Sequence, residues 1–307
     1  DISPFFKFKR LVKKILFFFL NLLLKKKLPL LKSRSLNNVE NKYDKITGEY
    51  IERCLNQNNS DFPCDFGLGE KIFRVKGYPK KFSSSYLLKI LEMTQSKSFL
   101  EIGAGELTNI FEILKKNKKI NFENVLALDI SLPRLIEGNK FLNKNSIYID
   151  HCISSNAENI PLGNNSIDLL FTVHCLEQVP HIAKNILREM IRVANNYVVL
   201  IEPSYELGSE VTRNRIFKKD YIKLNKFIFR DLDAEVIYRE KNRLSSYISS
   251  SEIVILKKKN EKEKDAPTKS IFICPSCKKE LNLTKNGFVC DVENKKYEKK
   301  AGVLLFS

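Results

Sequence analysis

No apolar run in this 307-residue chain reaches the roughly 20 residues that a membrane-spanning helix requires. The apolar stretch Ile15 to Leu24 has ten residues, includes Asn21, and as a helix would cover only ~15 Å. It has the basic start and apolar middle of a signal peptide. Lys25, Lys26 and Lys27 follow at once, however, and no small-residue cleavage site appears, so cleavage is not expected. A disulfide framework is also missing. The seven cysteines are odd in number and dispersed, and only Cys274 and Cys277 share a metal-type spacing. A reducing, cytoplasmic compartment is expected. The chain has no internal repeat, and between Lys7 and Lys32 it has nine basic residues and no acid.

The formal charge is +17, concentrated at the two ends, while the middle is nearer balance. Basic ends on a balanced core suggest an anionic partner, either membrane or nucleic acid; solvated lysine-rich faces are the bland alternative. Within residues 1–35, Phe8, Leu11, Val12, Ile15, Leu16 and Phe19 recur at helical spacing, opposite Lys9, Arg10, Lys13 and Lys14. Such a helix suits the lipid interface, making the protein peripheral on a membrane; packing on the protein's own body would use the same pattern.

Residues 36–96 read as an N-terminal cap or substrate region, with loops around Asn56–Gly69 and a helix from Ser83 to Met93. From residue 97 to 259 strands and helices alternate. Strands are predicted at 98–102, 124–129, 146–150, 167–172 and 197–201, and helices around 107–118, 132–144 and 182–193. That rhythm implies an α/β fold, a mostly parallel sheet with helices on both faces. Strand candidates at 234–239 and 252–257 suit a closing antiparallel hairpin. Residues 260–270, rich in Lys and Glu with Pro267, read as a solvated linker, and 271–307 as a small domain.

The segment FLEIGAGELT, residues 99–108, places an apolar strand before a Gly-x-Gly turn and a helix. The next strand, VLALDI, ends in Asp129. Strand, glycine turn, helix, strand and acid, in that order, build a nucleoside-binding crevice in a parallel sheet. Gly103 and Gly105 let the backbone turn sharply near a ligand. Asp129 can accept two hydrogen bonds from a ribose diol, or cap the following helix.

With these segments the chain resembles the class I S-adenosylmethionine-dependent methyltransferases, in particular the small-molecule branch called type 11. Also carrying the resemblance are SNAENIPLGNNSIDLLFTVHCLEQVPH at 155–181 and YVVLIEPS at 197–204. It implies a Rossmann-like sheet and S-adenosylmethionine as cofactor. By position, Glu101 would face the methionine amino group, and Gly103, Ala104 and Gly105 would pass beneath the methionine part. Asp129 would bind the ribose hydroxyls, and Ile130 would pack beside the adenine. Asn156 would hold the adenine amino group, with the Ala157 backbone beside the ring, and His174 would line the wall near the sulfonium. Glu106 replaces a common third glycine, and Asn156 a more usual Asp. A catalytic base is required only where the acceptor loses a proton, and His174 is the candidate, with His181 behind it. Tyr205, Arg213, Arg215, Lys218 and Tyr221 would suit a phosphorylated, glycosyl or carboxylated acceptor; a solvated basic loop is the alternative.

ICPSCKKEL at 273–281 has a C-P-x-C knuckle, and Cys290 follows 13 residues after Cys277. This tail resembles the short zinc ribbons that accompany some methyltransferases, with Tyr297, Gly302 and the strand 303–306 in place. The resemblance implies a structural zinc held by Cys274, Cys277, Cys290 and, where the last cysteine should be, Glu293, with Asp291 nearby. A decayed, metal-free site is the alternative.

The expected activity is methyl transfer to a small-molecule, lipid or glycoconjugate acceptor, with a membrane surface as one setting for it. RNA as acceptor is a second reading, weakened by the lack of an N-P-P-Y-type motif after the fourth strand. A non-catalytic scaffold is a third, opposed by an intact Glu101, Gly103, Gly105 and Asp129.

Overall fold

Strand β3 (Ser98–Ile102) is buried along its whole length, with Phe99 packed on one side of the sheet and Leu100 and Ile102 on the other. A strand covered on both faces belongs inside a layered α/β sheet. A computed structural model describes residues 35–56, 61–65, 72–76, 79–225, 227–242, 249–259 and 271–306. The expected basic helix of the first 34 residues and the linker 260–270 lie outside them. Leu36–Ser307 forms one compact unit.

Its elements are α1 (Leu36–Asp44), α2 (Glu49–Leu55), β1 (Asp61–Asp65), β2 (Ile72–Lys76), α3 (Pro79–Thr94), β3, α4 (Thr108–Lys116), β4 (Asn124–Asp129) and α5 (Leu132–Lys144). They continue with β5 (His151–Ser154), β6 (Ile167–Val173), α6 (Ala183–Val193), β7 (Ala194–Pro203), α7 (Glu210–Lys219), β8 (Ala234–Lys241) and β9 (Ser251–Lys258). The tail carries β10 (Asn282–Thr284), β11 (Gly287–Cys290), β12 (Lys295–Lys300) and β13 (Val303–Leu305).

One 11-stranded sheet runs in the order β10-β11-β12-β13-β5-β4-β3-β6-β7-β9-β8. From β13 to β7 neighbours are parallel; β9 and β8 close one side antiparallel, as the sequence predicts. This is the Rossmann-like sheet expected.

Two local expectations shift. The third core strand is His151–Ser154, not 146–150, because Ser146 turns with φ 56° after α5 and the Asp150 carboxylate accepts from Val125 N at 2.7 Å. The stretch 56–69, expected as loop, contains β1, which pairs antiparallel with β2. Pro63 is tolerated there because each strand of a two-stranded ribbon has an open edge.

The tail does more than stand beside the sheet. β13 pairs parallel with β5, Val303 opposite Cys152, and so lengthens the central sheet. Phe272, Phe288, Tyr297 and Phe306 join the same buried cluster as Leu126, Leu128 and Ile153. Tyr297 and Phe306 stack at 4.7 Å, and Phe272 lies 4.6 Å from Phe288. Fully burying such rings gives roughly 1.5–3 kcal/mol each relative to exposure.

Candidate active site

The carboxyl ends of β3, β4 and β6 open onto one cleft, where a parallel sheet binds its ligands. Gly103, Ala104, Asp129, Ile130, Asn156, Ala157 and His174 line it together. Gly105 and Glu101 stand behind that lining. Glu101 is fully buried, and its Oε1 accepts from Asn109 Nδ2 at 2.6 Å.

The glycine turn is shaped by its own backbone. Gly103 and Gly105 have φ of 73° and 55°, a left-handed region that side chains disfavour. Gly103 N and Ala104 N both donate to Leu128 O, at 2.8 and 3.1 Å, tying the turn to the end of β4. Asp129 completes the tie: Oδ2 accepts from Gly105 N and Oδ1 from Ser131 N, each at 2.8 Å. A carboxylate has about four lone-pair positions, so two remain for a ligand. Asp129 thus anchors the turn, while Ser131 takes the N-cap place of α5 without a side-chain cap bond.

Asn156 caps the short turn 157–159, its Oδ1 accepting from Glu158 N at 2.9 Å. That oxygen keeps a second lone pair, and Nδ2 its donors, so Asn156 can meet both a donor and an acceptor on a ligand edge. The cap region closes the other side with Leu36, Val39, Tyr43 and Tyr50 from α1 and α2. Asp44 accepts from Ser131 Oγ at 2.5 Å. Burial, with Asp44 and Asp129 nearby, raises the pKa of Glu40.

His174 follows β6 in a left-handed conformation (φ 55°), its N–H held by Ile201 O at 2.9 Å. Nδ1 lies 3.5 Å from Glu177 Oε2. Burial opposes the imidazolium, but the adjacent Glu177 carboxylate, with Glu202 beyond, outweighs it and raises the pKa above 6.5. Glu202, at the end of β7, is fully buried and fixes this loop. Its Oε1 accepts from Thr172 Oγ1 at 2.6 Å, Cys175 N at 2.9 Å and Leu176 N at 3.0 Å, and its Oε2 from Glu177 N at 3.1 Å. Burial, and the neighbouring charges of Glu202 and Asp129, push the Cys175 thiol well up, so it is neutral.

His181 is not brought to the cleft. It is exposed in the turn before α6, and the helix has no side-chain cap bond at its start. Sequence reading passed over Tyr43, Tyr50, Arg134, Cys175, Glu177 and Glu202. Only Glu202 carried a usable signal, an acid at the carboxyl end of an apolar strand. The tyrosines reach the cleft through a docking that no periodicity reports.

In the tail the sulfurs of Cys274, Cys277 and Cys290 lie within 4.8 Å of one another. Cys277 and Cys290 are 3.5 Å apart, near the ~3.8 Å that two sulfurs ~2.3 Å from a tetrahedral zinc would show. Burial raises the Cys274 pKa, but hydrogen bonds from Tyr297 and from the Cys277 and Ser276 backbone bring it down to about 7. Glu293 does not complete the set. Its side chain is exposed, and its backbone N–H, not its carboxylate, meets Cys290 Sγ at 3.4 Å. The turn ending at Asn294, φ 49°, carries the side chain outward. Asp291, also exposed, accepts from Asn282 Nδ2 at 2.6 Å. Tyr297 Oη, buried, lies 3.2 Å from Cys274 Sγ.

Residues 100–201 match the Methyltransferase 11 family, described as a methyltransferase domain. The fold is similar to a magnesium protoporphyrin IX methyltransferase from Synechocystis PCC 6803, solved with SAH bound. Identity is 11%, the TM-score 0.51, and the match covers 71% of this chain and 98% of that one. It is also similar to the 4+2 cyclase SpnF, at 10% identity and a TM-score of 0.50, covering 72% and 96%. No curated protein matches the chain. Residues 100–201 therefore carry a methyltransferase domain, on a fold shared with these structures. Among the described residues no helix is long and apolar enough to cross a membrane.

Proposed function

We propose that the protein transfers a methyl group from S-adenosylmethionine to a small-molecule, lipid or glycoconjugate acceptor bound beside His174. The supporting observation is the convergence of Gly103, Asp129, Asn156 and His174 on one cleft at the carboxyl ends of the parallel strands. S-adenosylmethionine supplies a methyl group already activated on sulfonium sulfur. The protein's task is alignment, which can contribute ~7–11 kcal/mol to lowering a barrier. Asp129 offers its remaining lone pairs to the ribose, and Ile130 and Ala157 hold the adenine between them. Asn156 Oδ1 would accept from the adenine amino group with its remaining lone pair. His174, oriented by Glu177 at Nδ1, takes a proton at Nε2 when the acceptor must lose one.

The basic segment 1–35 supports an acceptor at an anionic membrane surface. For the tail, the three-sulfur cluster supports a structural zinc on Cys274, Cys277 and Cys290, without Glu293.

Calorimetry of the full chain with S-adenosylhomocysteine should show binding that Asp129→Ala abolishes; no binding by the wild type would sink the proposal. A labelled-methyl screen against fractionated extract then identifies the acceptor, with label in RNA favouring the nucleic-acid reading. Flotation on anionic vesicles should need residues 1–35, and equal flotation without them removes the membrane placement. Metal analysis should find about one zinc per chain in wild type and Glu293→Gln, and none in Cys290→Ser.

A further inference from the structure

Arg134 sits in the first turn of α5, the most buried cation beside the cleft among the described residues, with a side chain 7% exposed. Its Nε donates to Glu106 Oε1 at 3.1 Å. The other Glu106 oxygen accepts from Tyr50 N and Ile51 N at 3.0 and 2.9 Å, so that carboxylate is shared with the start of α2. Tyr43 and Tyr50 flank the guanidinium, their ring centres 5.1 and 4.7 Å from Cζ. Arg134 also lines the cleft. A β-carbon on Gly105 would fall 2.6 Å from Nη2 and 2.8 Å from Nη1, so the guanidinium lies directly against the glycine turn.

The pairing with Glu106 is made through Nε alone. Among the described residues, neither Nη1 nor Nη2 donates a hydrogen bond. An arginine–carboxylate pair ordinarily uses two parallel N–H bonds, and this one does not. Here four N–H groups are left beside a ligand cleft, in a geometry that matches a planar oxyanion. The tyrosine rings and the Glu106 bond hold that geometry in place before any ligand arrives, so little side-chain entropy is lost on binding.

We propose that Arg134 is the anchor for a carboxylate, the α-carboxylate of the cofactor's methionine part. This rests on the methyltransferase reading above, in which the Gly103–Gly105 turn underlies that part of the cofactor. Arg134 would then select the amino-acid end of the ligand, not only the nucleoside.

Calorimetry on the full chain tests it with two probes, S-adenosylhomocysteine and 5′-methylthioadenosine, which keeps the adenosine and sulfur but lacks the amino acid. Arg134→Met should weaken S-adenosylhomocysteine by about 10–100-fold, the size of a charge-assisted hydrogen bond. Methylthioadenosine affinity should stay within about twofold, which also reports that the nucleoside site is intact. Arg134→Lys, which keeps the charge, should recover part of the loss. Equal weakening of both probes, or of neither, overturns the assignment and leaves Arg134 as a brace for α1 and α2. If wild type binds neither probe, the methyltransferase reading itself fails.

Discussion

Gly103 and Cys175 are packed so closely that a β-carbon on Gly103 would fall 2.7 Å from the Cys175 Cβ, and nearer still to its sulfur. The glycine turn and the loop after β6 therefore form one surface. Gly103→Ala should destabilise the fold by about 1–3 kcal/mol through overpacking and left-handed strain. It should also weaken S-adenosylhomocysteine more than tenfold. Adding Cys175→Gly should relieve the clash and leave only the φ penalty. A double-mutant cycle from urea unfolding measures this, and strict additivity would show that the two sites do not touch.

The Glu202 carboxylate gathers a threonine hydroxyl and three successive backbone N–H groups. Glu202→Ala should cost about 3–5 kcal/mol, since it strands buried donors. Thr172→Val removes one donor and should cost about 1 kcal/mol. Hydrogen exchange at Cys175, Leu176 and Glu177 should speed up selectively in Glu202→Ala. A uniform change across the sheet would deny the local role.

His174 is held above its ordinary pKa of 6.5, chiefly by Glu177 acting against burial. A raised folded pKa gives stability that is complete below about pH 6.5 and is lost as pH rises through the folded value. Wild type should therefore lose more stability between pH 6 and 8 than His174→Gln. If His174 is the base, the rising limb of kcat/KM lies above pH 6.5, and Glu177→Gln moves it down. A limb that stays put in Glu177→Gln removes Glu177 from the assignment.

Phe306 is 4% exposed and packs with both Tyr297 and Phe272. Phe306→Ala should cost about 3–5 kcal/mol and lower the midpoint of a single cooperative transition. A separate, earlier transition for residues 271–306 would mean that the tail folds as its own unit.

Much of the framework could be read from residues alone, because β3, β4 and α5 are continuous periodic segments bounded by recognisable turns. Their bounds, Ser98–Ile102, Asn124–Asp129 and Leu132–Lys144, coincide with those predicted. Gly103, Asp129 and Asn156 were legible for the same reason: each sits at the end of a recognisable element. Arg134, Tyr43 and Tyr50 were not, since they meet only through the docking of α1 and α2 on the glycine turn. The Glu293 carboxylate lies outside the three-sulfur cluster, because spacing along the chain cannot report which way a turn points a side chain. The pairing of β13 with β5 was hidden by distance in sequence.

That pairing bears on how the molecule is made. Val303 meets Cys152 across about half the chain's length, so during synthesis the outer edge of β5 stays open long after its other neighbours are built. An open apolar edge is a template for strands of other chains. Late-arriving β13 is the seal, and its delay makes aggregation of nascent chains a hazard that the tail both creates and ends.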